Sequence, residues 1–197
     1  MVVLPAQSQS LDAVSPLEPQ LQIYPSMKPE QSTNPLRKPH ILVAGLGNLL
    51  LRDNGVGVHA ARFLLSANLP GILVAEIGTA VLDGWHLLEW ADKILAIDAI
   101  QAGGTPGTIY SYCVTGANRH EIPGSPHQFS LLSALDLMSP IRKREVTLLG
   151  VEPEIIDYGL NLSPAVKAAF PKIIAAVHTT LASWRAAEER QYRVGKP

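Results

Sequence analysis

Apolar positions along this chain keep two different rhythms, and the boundary between them falls near residue 40. From His40 on, short runs that are apolar at nearly every position alternate with stretches where apolar residues return roughly every third or fourth place, the signatures of buried strand and amphipathic helix. HILVAG, His40 to Gly45, is predicted as a strand closed by glycine. Asn54 to Ala67 carries Val56, Ala60, Phe63, Leu64 and Ala67 at helical spacing, with Asp53 as the candidate N-cap. ILVAE (Ile72 to Glu76) predicts a second strand, Val81 to Trp90 a helix and KILAIDAI (Lys93 to Ile100) a third strand. TIYSY (Thr108 to Tyr112) is a candidate strand, Gln128 to Leu137 a helix and EVTLLGV (Glu145 to Val151) a further strand. A long helix closes the chain from Ser163 to about Glu189, with serine as N-cap and Pro164 at the first helical position, where a missing N–H costs nothing.

Runs as continuously apolar as KILAIDAI belong to strands covered on both faces. Alternating strands and helices then imply a right-handed, three-layer α/β domain with a mainly parallel sheet, whose active site gathers at the carboxyl ends of the strands. That single domain is assigned to residues 40–197. Residues 1–39 hold seven of the sixteen prolines, many Gln and Ser and no glycine, so neither helix nor sheet propagates there. They read as a disordered tail, with Met27 as an alternative start of translation.

Composition narrows the classes. The 197 residues are 47% hydrophobic with a net charge of -1, enough apolar content for one full core and no basic surplus for nucleic acid. One cysteine, Cys113, forms neither an internal disulfide nor a thiolate zinc site, which suits a reducing cytoplasm. No apolar run reaches the roughly 18 residues of a membrane span, and no signal-peptide layout is visible at the N-terminus. The expectation is a cytoplasmic protein without a membrane or nucleic-acid partner.

The stretch GLGNLLLRDNGVG, Gly45 to Gly57, opens like a dinucleotide loop. The G-x-G-x-x-G fingerprint fails, because position 50 is leucine and the predicted helix begins too late to point its N-terminus at the glycine turn. Two further segments stand out: Asp98 at the tip of the third strand, in AIDAI followed by GGTPGT, and SPHQ, Ser125 to Gln128, ahead of a helix. An unpartnered carboxylate at the end of an apolar strand is costly, so Asp98 should have a partner. His127 follows Pro126 in a loop, where an imidazole is easily exposed.

In their order and spacing, these three segments, with GTA (Gly78 to Ala80) and GVEPE (Gly150 to Glu154), resemble the nickel-iron hydrogenase maturation proteases, endopeptidases that trim the C-terminal extension of the hydrogenase large subunit. The resemblance implies a five-stranded twisted sheet flanked by helices and a metal site on Asn54, Asp98 and His127. Carboxylate oxygen and neutral imidazole suit nickel or zinc, and three protein ligands leave room for water or substrate. Asn54 departs from the family, which has an acidic residue there; an amide oxygen brings no charge, so a divalent metal is held less firmly. Asp53 offers compensation, although one step along a helix turns its side chain about 100° away. Glu76 stands where the family tends to have aspartate.

The resemblance further implies that nickel arrives with the hydrogenase large-subunit precursor and serves as the recognition element. Asp98 and Glu76 are both candidates for the general base by position. Leu49, Leu50 and Leu51 either line a groove for the substrate or pack in the core. The alternative to an active endopeptidase is a non-catalytic assembly factor that keeps the precursor-binding surface and has lost proteolysis with the carboxylate at position 54.

Overall fold

The computed structural model describes residues 37–114, 131, 133–135 and 144–194. Five strands, β1 (Ile41–Leu46), β2 (Ile72–Gly78), β3 (Lys93–Ala99), β4 (Ile109–Val114) and β5 (Glu145–Val151), form one sheet in the order β2-β1-β3-β5-β4. All neighbours are parallel except β4, which runs antiparallel to β5 at the edge. Helices α1 (Val56–Ser66), α2 (Trp85–Trp90) and α3 (Pro164–Val194) cover the two faces. The expected three-layer α/β architecture with a mainly parallel five-stranded sheet is therefore the observed one.

Side-chain alternation divides the core. Val43, Val74, Leu95, Ile97 and Leu149 face α1 and α3, where they meet Ala60, Leu64, Ile173, Val177 and Leu181. Leu42, Ala44, Ala75, Ala96 and Leu148 face the other way, against Leu87 and Leu88 of α2 and the helical residues Leu131 and Ala134. A large aliphatic side chain fully buried in this way contributes about 1.5–3 kcal/mol, so both layers are strongly held.

Three local expectations change. The stretch 81–84 is a turn rather than helix: Gly84 N–H donates to Val81 O, and the helix begins only at Trp85. The helix expected from Asn54 starts as a 3-10 turn, Arg52–Gly55, and becomes α-helical at Val56. Asp53 does not cap that helix. Ser163 does cap α3, its Oγ accepting from Val166 N–H at 3.4 Å. Helix α3 continues through Pro171 because proline and Lys167, whose carbonyl loses its donor, both lie on the exposed face beside water. The predicted helix from Gln128 to Leu137 falls partly outside the described residues; Leu131 and Ser133–Leu135 are helical. The segment 1–36 also lies outside them. Arg37 is already tied to the domain, through Asp92 at 2.7 Å.

Candidate active site

After β1 the chain crosses outward to β2, then returns past β1 to β3 on its other side. The strand order reverses between β1 and β3, and crevices at such a switch point open at the carboxyl ends of the strands. Leu46 and Asp98 mark those ends, so the topology puts the GLGN segment and the AIDAI segment side by side.

Glycine makes the approach close enough. Gly57, in the first turn of α1, presses on the carbonyls of Ile97 and Leu46, and a Cβ there would overlap both. Gly47 adopts φ of +110°, and a Cβ on it would overlap the backbone carbonyl of Asn54 and lie 3.5 Å from Asp98 Oδ1. The glycines of the opening segment thus seat a helix N-terminus on two strand tips, instead of cradling a phosphate. Asn54 and Asp98 both border Gly47 as a result.

Asp98 is fully buried, and its Oδ1 accepts from Ala99 N–H at 2.8 Å. Asn54 is 7% exposed, and its Oδ1 accepts from Asn48 N–H at 2.8 Å. His127 lies outside the described residues. The described donors are oxygens, which with an imidazole form a set suited to a borderline divalent ion. Among the described residues no three His, Cys, Asp or Glu side chains converge.

Asp53, considered above as compensation, is engaged by backbone donors. It is fully buried, and its carboxylate accepts from Ser163 N–H at 2.7 Å and from Glu154 and Ile155 N–H at 2.9 Å each. Its work is to bind the 3-10 turn to the loop between β5 and α3. Sequence reasoning missed this role, although the adjacency of a buried-side Asp to the predicted metal ligand was visible.

Glu76 and Asp98 are not brought together. Glu76 follows Val74 on the α1 face of β2, where its carboxylate meets Arg62 Nε at 3.0 Å, while Asp98 alternates to the opposite face of β3. Leu49 and Leu51 are half-buried and Leu50 is 58% exposed; none joins either core cluster. Leu51 instead bridges to Gly159, and Arg52 N–H donates to Gly159 O at 2.9 Å. His59, one helical turn along from Gly55, has its Nε2 buried with no hydrogen-bond partner among the described residues, and burial lowers its pKa. A groove of about 440 Å³ lies at the other end of the sheet, between Leu69, Pro70, Ile72 and the Leu181 to Glu189 part of α3, remote from this chemistry.

Comparison with known proteins matches residues 61–180 to the hydrogenase maturation protease family model. The hydrogenase expression/formation protein HupD of Rhodobacter capsulatus is 30% identical over 169 residues, covering 81% of this chain and 75% of its own. The hydrogenase 2 maturation protease of Escherichia coli is 32% identical over 153 residues, covering 70% of this chain and 90% of its own. Among solved structures, the hydrogenase maturating endopeptidase HybD from Escherichia coli superposes with a TM-score of 0.66 at 26% identity, over 73% of this chain and 93% of that one. HybD from Thermococcus kodakarensis gives 0.63 at 26%, over 72% and 98%. With the family model spanning more than half of the chain, the chain belongs to the hydrogenase maturation protease family.

Proposed function

We propose that this protein is the endopeptidase that removes the C-terminal extension from the nickel-loaded large-subunit precursor of a nickel-iron hydrogenase. The observation that carries the proposal is the buried Asp98 carboxylate beside Asn54 at the switch point, in a chain of this family. Asp98, Asn54 and His127 would hold the metal, which is best regarded as cargo brought by the substrate. Such an ion, when bound, supplies polarisation of the scissile carbonyl or a lowered pKa for a water.

Asp98 is the candidate base, since Glu76 is engaged by Arg62 on the other face. A neutral amide at position 54 leaves the site weak by itself, which is what lets the enzyme respond to metal carried by the precursor instead of keeping its own. Leu49 to Leu51, outside both core clusters and beside Asn54, are assigned to the substrate surface. One observation favours the second reading, a binding-only assembly factor: Asn54 Oδ1 already accepts a backbone hydrogen bond, leaving a single lone pair for any metal.

The test mixes the protein with the nickel-loaded precursor encoded in its own genome and reads cleavage on a gel. Cleavage is expected in the wild type, with a loss of about a thousandfold or more in Asp98→Ala and His127→Ala. Wild-type turnover in Asp98→Ala would remove the site; stable binding without cleavage by the unmodified protein would favour the assembly factor.

A further inference from the structure

Glu152, the first residue past β5, is a buried carboxylate that the proposed chemistry does not use. It is 5% exposed. Its Oε2 accepts from Ala102 N–H at 3.0 Å and from the Tyr110 hydroxyl at 2.9 Å, and its Oε1 accepts from Gly103 N–H at 3.2 Å. Burial pushes the group up, and these donors outweigh it and hold it below the ordinary carboxylate range. The main chain of Glu152 grips the far end of the same loop: its N–H donates to Thr108 O at 2.9 Å and its carbonyl accepts from Gly107 N–H at 2.8 Å.

One residue therefore clasps both ends of the segment 101–107, whose residues 101–106 are all exposed and have no core to hold them. That segment is the direct continuation of β3 beyond Asp98. The Asp98 carboxylate accepts a hydrogen bond from the next peptide, at Ala99 N–H, and Ile100 N–H donates to Val151 O, immediately before Glu152. The chain between the clasp and the Asp98 carboxylate is only a few residues long, so freedom in the loop is transmitted to the strand tip.

Resting on the function proposed above, we infer that Glu152 is a positioning residue for the hydrolysis: by clasping the glycine loop onto the end of β5 it keeps the Asp98 carboxylate in one orientation at the switch point. The chemistry calls for a carboxylate and no other group. Both oxygens only accept, so an amide of the same shape would aim its NH2 at backbone N–H groups.

The experiment compares Glu152→Gln, Tyr110→Phe and Asp92→Asn in the full chain. Asp92 is tied to Arg37 and His40 at the opposite end of the sheet, so its variant reports the effect of lost stability alone. Cleavage of nickel-loaded precursor is measured well below each melting midpoint, with amide hydrogen exchange in parallel. Glu152→Gln is expected to lower kcat about tenfold or more with KM within about twofold, Tyr110→Phe to lower it less, and Asp92→Asn to leave it unchanged. Exchange at Ala99, whose N–H meets Asp98, should quicken in Glu152→Gln along with residues 102–104. Equal kcat in Glu152→Gln and wild type, or an equal loss in Asp92→Asn, would overturn the inference. If Glu152→Gln does not fold, the same two criteria apply to Tyr110→Phe, which deletes one donor and keeps the carboxylate. If the wild type cleaves no precursor, the functional reading falls and Ala99 exchange decides alone: unchanged protection overturns the clasp, and faster exchange supports it.

Discussion

The two ends of the sheet handle polar groups in opposite ways. At the amino end, Asp92 keeps its side chain 21% exposed and pairs with Arg37, while Lys93 reaches Glu145 at 3.2 Å and Glu188 at 3.7 Å and lies over the Trp184 ring. Asp92 also accepts from His40 N–H; its pair with Arg37 and the Glu145 end of the Lys93 pair reach water, which with salt screens them, while Lys93 itself is mostly buried. At the carboxyl end, Asp53 and Asp98 are fully buried and Glu152 nearly so, and the hydrogen bonds described above reach all three mainly from backbone N–H groups. A carboxylate held by main-chain donors fixes loop geometry without a cation, whereas an ion pair only joins two side chains. The end assigned to the proposed chemistry relies mainly on the first device, and the opposite end relies mainly on the second.

Breaking the carboxyl-end device should have the largest effect. Asp53→Asn puts an NH2 among three N–H groups that need an acceptor, and should cost on the order of 3 kcal/mol, read by urea denaturation. A loss no greater than that of an exposed residue would erase the contrast between the ends. Asn54→Asp sharpens the comparison from the other side. The carboxylate keeps the hydrogen bond from Asn48 and adds charge, so calorimetric titration with nickel should show affinity raised about tenfold or more. No change in nickel binding would remove position 54 from the metal site.

Acid should weaken the carboxyl end in two steps of known sign. His59 has a folded pKa lowered from 6.5, first by burial, so the unfolded chain binds the proton more readily and stability falls as pH drops below about 6.5. Glu152 is lowered from 4.5, so its contribution is present above that value and is lost as pH falls toward its folded pKa. Melting midpoints taken from pH 8 to 3 should fall in both windows, and His59→Phe should abolish the upper step only. The smallest effect belongs to the amino end. Removal of residues 1–36 should leave the midpoint within about 2 °C and cleavage unchanged, and extending the deletion through Lys38, which takes Arg37 from Asp92, should add less than about 1 kcal/mol.

Strand and helix positions, the parallel three-layer plan and the family were legible in the sequence because each rests on local periodicity or on residues a few places apart. KILAIDAI announces a strand buried on both faces whatever surrounds it, and Ser163-Pro164 announces a helix start. Apart from the local turn at 81–84 and the 3-10 start of α1, the failures involve distance. Asp53 reads as a cap for its own helix, and only the fold brings Ser163, more than a hundred positions later, close enough to take its carboxylate. Glu76 and Asp98 look equivalent as acidic residues near strand ends, and only the register of two strands reveals that they point to opposite faces. Glu152 reads as one more acid in GVEPE until the loop after β3 folds back over it. Sequence by itself determined which segments could be strand or helix and what chemistry each side chain could offer, because these are properties of short stretches. The tertiary structure alone decided which of those side chains meet, because a buried carboxylate is satisfied by whatever donors the chain brings back from far along its length.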